Sequence, residues 1–142
     1  MIGQGLAFAE TAAEQHHPDQ GLRSKYVNAN THEYQYAAYL EAWRRKIERI
    51  GNMNYPSDAE RRSLQGRLVL EVVLNAEGGI HDILLLRTSG YKLLDDAAVR
   101  IVQRSAPFAP FPPDIRKETD LLHITRTWQF RVGVLSGVPG LH

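Results

Sequence analysis

Cysteine is absent from this 142-residue chain, which excludes disulfide bonds, thiol catalysis and cysteine-based metal sites. Long hydrophobic runs are also absent, because no window approaches the roughly 18 apolar residues that a membrane-spanning helix requires. Charge of one sign is not in excess, since 17 basic and 16 acidic residues leave a net charge of +1. This balance gives no indication of a nucleic-acid or membrane-surface footprint. What remains is an ordinary globular composition, 43% hydrophobic, in a length that fits one domain.

Residue patterns that carry catalysis or metal binding are weak in this sequence. His16 and His17 are adjacent but lack further ligands, which favours a solvated loop over a metal site. The glycine pair 78–79 is followed by a strand pattern, and a phosphate-binding loop would need a helix there. Neither triad spacing nor a glycine-rich catalytic turn is present. We therefore expect a protein that is not an enzyme and that uses no cofactor and no metal.

Two amphipathic helices are predicted from the spacing of apolar residues. These residues recur at intervals of four and three from Tyr36 to Ile50, which puts them on one helical stripe, and Gly51 is expected to end the helix. A second helix is predicted from about Lys92 to Ser105. Its first turn is acidic and its last turns contain arginines, as the helix dipole favours. Both stripes are expected to pack against a sheet.

Three strands are predicted from the remaining periodic segments. Residues 66–74 and 80–88 form a hairpin around a turn that contains glycines. The second of these strands has consecutive apolar residues, so its inward face stays open. The third strand, Leu122–Val132, alternates apolar and polar residues except at Arg126, and it contains no proline or glycine. Its whole backbone can therefore form hydrogen bonds along both edges.

These elements predict an α+β fold: a two-layer sandwich with a three-stranded antiparallel sheet of order 2-1-3 and two main helices on one face. The third strand is then an edge, and an open edge can accept a strand from another protein. Trp43, on the first helical stripe, and Trp128, on the apolar face of the third strand, are predicted core residues. The proline-rich segment 107–113 is expected to close one end of the core with its two phenylalanines.

The chain divides into three parts by periodicity. Residues 1–31 are predicted to be a flexible lead-in, residues 32–132 the domain, and residues 133–142 a flexible tail. The two ends lack the apolar repeat that would offset the entropy of ordering them.

One ordered set of short motifs resembles the TonB C-terminal domain over about residues 36–132. The set begins with Tyr55-Pro56, Gly66, Gly78 with Ile80, and Thr88-Ser89-Gly90. It continues with Leu94-Asp95 before Ala97-Ala98, Ala106-Pro107-Phe108, Phe111-Pro112 and Arg126-Thr127-Trp128-Gln129-Phe130. Single members such as Tyr-Pro are unspecific, but the whole set in this order is specific.

The resemblance implies a periplasmic module of an energy transducer that is anchored in the inner membrane by an N-terminal helix absent from this chain. Such modules work with an ExbB/ExbD-type motor and bind the TonB box of outer-membrane transporters by strand addition. They thereby transmit energy from the proton gradient for active uptake. No nucleic acid is implied as a partner. We expect this fragment to be monomeric, although the same edge would also allow a dimer.

Binding positions follow from the resemblance, which implies the last strand and the residues just before Tyr-Pro. In this chain the partner-binding candidates are Asn52, Asn54, Tyr55, His123, Ile124, Thr125, Arg126, Thr127, Gln129 and Arg131. Well-studied members carry glutamine near the first of these sites, where this chain has Asn52-Met53-Asn54. That departure leaves open a second function, a TonB-like adaptor for another envelope assembly such as a surface appendage or cell-wall machinery.

Overall fold

The computed structural model describes residues 21–139. In this part of the chain the strands are β1 (Ser24–Val27), β2 (Gly66–Asn75), β3 (Ile80–Arg87), β4 (Leu121–Arg131) and β5 (Val134–Val138). The helices are α1 (Tyr34–Met53), α2 (Ser57–Arg61), α3 (Lys92–Ser105) and α4 (Pro113–Arg116). The long helices α1 and α3 contact each other on one side of the sheet, so the two-layer α+β prediction is confirmed at this level.

The sheet is mixed and has five strands in the described residues. Its order is β1-β4-β2-β3, and β5 pairs with the other half of β4. Strand β2 is antiparallel to both β3 and β4, so the predicted neighbours of this strand are correct. The predicted three-stranded, wholly antiparallel sheet is wrong, because β1 adds in parallel and β5 adds as a hairpin.

Both added strands come from segments that the sequence analysis assigned to flexible ends. That assignment is wrong for residues 24–27 and 134–138, which are strands of the sheet. Each strand is too short to show a clear period, yet each buries one apolar side chain: Val27 is 3% exposed and Leu135 is 2% exposed. Of the predicted flexible ends, residues 1–20 and 140–142 lie outside the described residues.

Helix α1 continues past Gly51, so the prediction that this glycine ends the helix is wrong. The glycine has a packing role instead. A Cβ atom at Gly51 would lie 2.4 Å from Cδ2 of Leu135, and 3.2 Å from Cγ2 of Ile101. The absence of a side chain therefore lets β5 approach α1 closely. The predicted bounds of the second long helix, Lys92 to Ser105, are confirmed by α3.

The core lies between the helices and the even-numbered residues of β4. Trp43 and Trp128 are 3% and 1% exposed, and their ring centroids are 5.7 Å apart, so both predicted core positions are confirmed. Phe108 and Phe111 are also buried, as predicted for the proline-rich segment. The tryptophans thus join α1 to β4, the strand on which the candidate site depends.

Candidate functional site

The outer edge of β4 is paired along nearly its whole length. Strand β1 pairs with Leu121–Ile124, and β5 pairs with Thr127–Arg131. Among the described residues, only Thr125 and Arg126 of β4 have no strand partner on that side. The expectation of an open edge along this strand is therefore wrong. The sequence could not show this, because a strand pattern carries no information on which neighbours cover its edges.

The outward direction of the β4 amides follows from the β5 hairpin. The amides of Leu135 and Gly137 are bonded to side chains of α1, so the intervening residue Ser136 directs its amide toward β4. The register partner of Ser136 is Gln129, so the Gln129 amide points to β5 on the outer side of β4. Because amides alternate in direction along a strand, the amides of the other odd-numbered residues of β4 also point to the outer side. The bond from the Leu121 amide to the carbonyl of Arg23, at 3.0 Å, agrees with this parity.

Strand β5 is held on its far side by α1. The Leu135 amide donates to Oδ1 of Asn52 at 2.8 Å, and Nδ2 of Asn52 donates to the Leu135 carbonyl at 3.1 Å. The Gly137 amide donates to Oε2 of Glu48 at 2.8 Å. Polar side chains of the helix therefore satisfy backbone groups that an edge strand would expose to other chains.

Charged groups at and just before the start of β1 add to its attachment. Nε of Arg23 and the Arg23 amide donate to Oδ2 of Asp120 at 3.0 and 2.8 Å, and the Asp120 amide donates back to the Arg23 carbonyl. These bonds from Arg23 lower the pKa of Asp120 to about 2. Further along, Nζ of Lys25 lies 2.9 Å from Oε2 of Glu33. These charged contacts of β1 thus lie near the surface.

His123 lies at the centre of a polar chain on the sheet face opposite the helices. Its Nδ1 is 2.8 Å from Oε2 of Glu71, and its Nε2 is 3.1 Å from Oγ of Ser24. The ring of Tyr26 stacks on the imidazole with centroids 4.1 Å apart. The chain therefore ties β2, β4 and β1 together. Sequence reasoning missed it because its members are 52 and 99 residues apart.

The residues before Tyr-Pro separate into two groups. The ring of Tyr55 meets Phe130 of β4 edge-on with centroids 5.6 Å apart, and its burial raises the pKa of the phenol. Like Asn52, this residue is thus placed beside the β4–β5 hairpin. Asn54 instead caps α1: its Nδ2 donates to the Ile50 carbonyl at 2.8 Å, and its Oδ1 accepts from Arg104 of α3 at 2.9 Å.

The remaining β4 candidates have different environments. Ile124 is 1% exposed, so its side chain belongs to the core and only its backbone is near the edge. Oε1 of Gln129 accepts from Nε of Arg67 at 2.8 Å. Thr125 and Thr127 are half-buried, and Arg131 is exposed at the end of the strand. Arg126 is half-buried on the helix side, and its Nε has no hydrogen-bond partner.

Residues 21–139 contain no group of three or more His, Cys, Asp or Glu side chains placed to hold a metal ion. No helix within the same range combines the length and apolar character needed to cross a membrane.

The fold and this covered edge define a two-layer α+β domain built on one long central strand. The family model for the Gram-negative bacterial TonB protein C-terminal matches residues 51–132, more than half of the chain. The chain belongs to this family, so the resemblance found in the sequence is confirmed.

The chain is similar to two curated relatives over part of their length. It is 32% identical to Protein TonB of Pasteurella multocida over 84 residues, which are 59% of this chain and 32% of that protein. It is 36% identical to Protein TonB of Pseudomonas putida over 61 residues, which are 43% of this chain and 25% of that protein. The chain thus spans at most about a third of the length of these relatives.

The fold is similar to a solved structure of the family. The C-terminal domain of Helicobacter pylori TonB, determined by NMR, superposes with a TM-score of 0.55 and 20% identity. The match covers 67% of this chain and 81% of that chain. At this identity the likeness concerns the fold alone.

Proposed function

We propose that this chain is the periplasmic part of a TonB-like energy transducer. In this proposal it binds the TonB box of an outer-membrane transporter by strand addition at the outer edge of β4. It then transmits energy from an ExbB/ExbD-type motor for active uptake, through an N-terminal anchor in the inner membrane. The observation that carries the proposal is the edge of β4, which is covered by two short strands with a two-residue break between them.

Strand addition at a covered edge requires that one short strand leaves. Strand β1 is the better candidate, because it pairs over four residues and Tyr26 in its middle is 60% exposed. Strand β5 pairs over five residues and is bonded to α1 on its far side, while Val27 of β1 and Leu135 of β5 both belong to the core. We therefore infer that the partner takes the place of β1 and lies along Leu121–Arg126.

Exchange of one strand for another suits a reversible contact. A departing β1 and an arriving peptide make similar backbone hydrogen bonds, each with a net value of about 0.5–1.5 kcal/mol. Association also costs translational and rotational entropy. The backbone alone then supplies little net affinity, and side chains must supply specificity. A pull along the strand would load the bonds together, so a modest equilibrium affinity is compatible with the transmission of force.

The absence of cysteine allows a direct test with engineered disulfides. One variant carries Tyr26→Cys and His123→Cys, which are partners in register and lock β1 to β4. A matched variant carries Gln129→Cys and Ser136→Cys, which lock β5 to β4. Peptides with the TonB-box segments of the host's own transporters are titrated into each isotope-labelled variant, oxidised and then reduced.

We expect the β1 lock to abolish peptide binding when oxidised and to restore it on reduction. The β5 lock is expected to leave binding intact. The role of β1 is contradicted if only the β5 lock prevents binding. Docking at this edge is contradicted if neither lock affects binding, or if peptide-induced shifts appear only on the helices.

The alternative function, an adaptor for another envelope assembly, has less support than the energy transducer because the contacts of Asn52 account for this residue within the domain. The departure from glutamine at this site motivated that alternative. The Asn52 side chain bonds to the backbone of Leu135 in β5, which explains the residue through packing within the domain. A pull-down from envelope extracts distinguishes the two functions, because recovery of appendage or cell-wall proteins without transporters would favour the adaptor.

A further inference from the structure

The break in the β4 edge consists of Thr125 and Arg126, and Arg126 is the charged residue of the two. Its side chain is half-buried on the helix side of the sheet, and its Nε is shielded from solvent without a hydrogen-bond partner. Within residues 21–139 this side chain forms neither a hydrogen bond nor an ion pair. A guanidinium has five N–H donors and is ordinarily paired when it is withdrawn from water. The other even-numbered residues of β4 are apolar and buried. We therefore expect the guanidinium of Arg126 to have a partner that is not part of residues 21–139.

The acidic groups near Arg126 are already engaged by another arginine. Arg44 of α1 forms ion pairs with both Glu41 and Glu48, the second at 2.7 Å. Glu48 also accepts a hydrogen bond from the Gly137 amide, and Glu41 accepts one from Nε of Arg45 at 3.2 Å. The two carboxylates are therefore shared among several donors and are not directed to Arg126.

The electrostatic surroundings of Arg126 follow from this sharing. Burial lowers the pKa of Arg126, and the positive charge of Arg44 lowers it further. Glu41 and Glu48 act in the opposite direction. Arg44 is the group that takes up both carboxylates, so neither glutamate forms an ion pair with Arg126. A half-buried charge without a partner destabilises the free domain, and a ligand carboxylate would relieve that penalty.

We propose that Arg126 binds an acidic side chain of the strand that docks on β4, at the break between β1 and β5. The inference rests on the proposed function, because it assumes that a peptide strand lies along this edge. A carboxylate fits because it accepts two parallel hydrogen bonds from the guanidinium fork, whereas a neutral amide gains less and a basic side chain is repelled. The partner is thus a peptide segment with Asp or Glu at the position that faces Arg126.

The contacts at the two ends of the break locate this position. At the β5 end, the stem of Arg44 lies over Gly137, where a Cβ would be 3.1 Å from Cγ of Arg44. At the β1 end, the ladder stops at the pair formed by Val27 and Ile124. A strand that replaces β1 would pass from Ile124 to the break and bring a side chain to Arg126.

The test uses pairs of synthetic peptides from the transporters of the host. In each pair one peptide keeps its Asp and Glu residues, and the other carries Asn and Gln at those positions. Both are titrated into the unmodified chain, Arg126→Gln, Arg126→Lys and, as a matched control, Arg100→Gln. Arg100 is an exposed residue of α3, so its substitution removes the same formal charge away from the break.

We expect the acidic peptide to bind the unmodified chain on the order of tenfold more tightly than its amide form. Arg126→Gln should remove this difference, Arg126→Lys should keep part of it, and Arg100→Gln should leave it unchanged. The NMR signal of the Arg126 Nε–H group should shift with the acidic peptide only, and this readout remains valid in the unmodified chain if a variant fails to fold.

Each opposite result has a distinct meaning. If the acidic and amide peptides bind equally, and the β1 lock still abolishes binding, the role of Arg126 is wrong while docking on β4 stands. If neither form of any peptide binds, the proposed function fails and this inference fails with it. If Arg100→Gln removes the charge preference as fully as Arg126→Gln does, the preference reflects net charge and not this residue.

Discussion

The side chain of Asn52 and the backbone of Leu135 bond to each other in both directions, as neighbouring strands do. The Leu135 amide donates to Oδ1 at 2.8 Å, and Nδ2 donates to the Leu135 carbonyl at 3.1 Å. The same Nδ2 also donates to the carbonyl of Glu48 within α1, at 2.7 Å. The last turns of α1 therefore bond to the far side of β5 and hold it beside β4.

The first prediction concerns this contact. Asn52→Ala removes both bonds to Leu135, and we expect the free energy of unfolding to fall by about 1–3 kcal/mol, with faster exchange of the Leu135 amide. Asn52→Asp keeps the acceptor but loses the donor, so the Leu135 amide should stay partly protected. Chemical denaturation and amide exchange measure both effects. Equal exchange in all three proteins would show that the contact does not hold β5.

The second prediction concerns the two tryptophans that join α1 to β4. Trp43→Ala and Trp128→Ala are each expected to lower the free energy of unfolding by about 3–5 kcal/mol, because each leaves a large cavity. Tyr34→Ala is the control: its side chain is 83% exposed, so a change within about 0.5 kcal/mol is expected. Urea unfolding measures all three. A cost below about 1 kcal/mol at either tryptophan would contradict its core role.

The third prediction uses the alternating direction of the β4 amides, which point outward at odd-numbered residues and to β2 at even-numbered residues. Thr125→Pro removes an amide that points to the outer side, so the ladder to β2 should survive while peptide binding is lost. Arg126→Pro removes an amide that points to β2, and it should cost about 1–3 kcal/mol more than Thr125→Pro. Arg126→Ala is measured alongside to subtract the loss of the side chain. Melting curves and peptide titration together decide, and equal damage to folding by both prolines would refute the parity.

The fourth prediction concerns pH and the attachment of β1. Bonds from Arg23 hold the pKa of Asp120 at about 2, below its ordinary value of 3.8. Because the folded pKa is the lower one, the stabilisation is present above about pH 4 and is lost as the pH falls toward 2. We expect the carboxyl ¹³C signal of Asp120 to titrate near pH 2, and the β1 signals to change with it. In Arg23→Gln the midpoint should rise; an unchanged midpoint would exclude Arg23 as the cause.

The sequence was sufficient for elements whose pattern is long enough to repeat. The stripe from Tyr36 to Ile50 and the alternation along β4 each repeat over several turns or pairs, so their inward faces could be assigned, and of the stripe only Ile50 stays half-buried. The bounds of α3 were predicted for the same reason. The ordered motifs also sufficed for the family, because they fall at turns and packing positions that the fold requires.

Short strands and distant contacts were beyond the reach of the sequence. Strands β1 and β5 have four and five residues, which are too few for a period, and they form only because β4 offers them a ladder. The Glu71–His123–Ser24 chain and the unpaired guanidinium of Arg126 depend on residues brought together across strands and layers. Gly51 illustrates the same limit, because its role lies in the approach of Leu135 and not in its own helix.

By itself, the sequence determined the α+β class, the two long helices, the hairpin, the inward face of β4 and the family, because local periodicity and motif order encode these features. Only the tertiary structure decided that the outer edge of β4 is covered, which amides point outward, and that the break falls at Thr125 and Arg126. The physical reason is that a strand pattern specifies which side chains are buried. The neighbours that satisfy its backbone are selected by the packing of the whole chain.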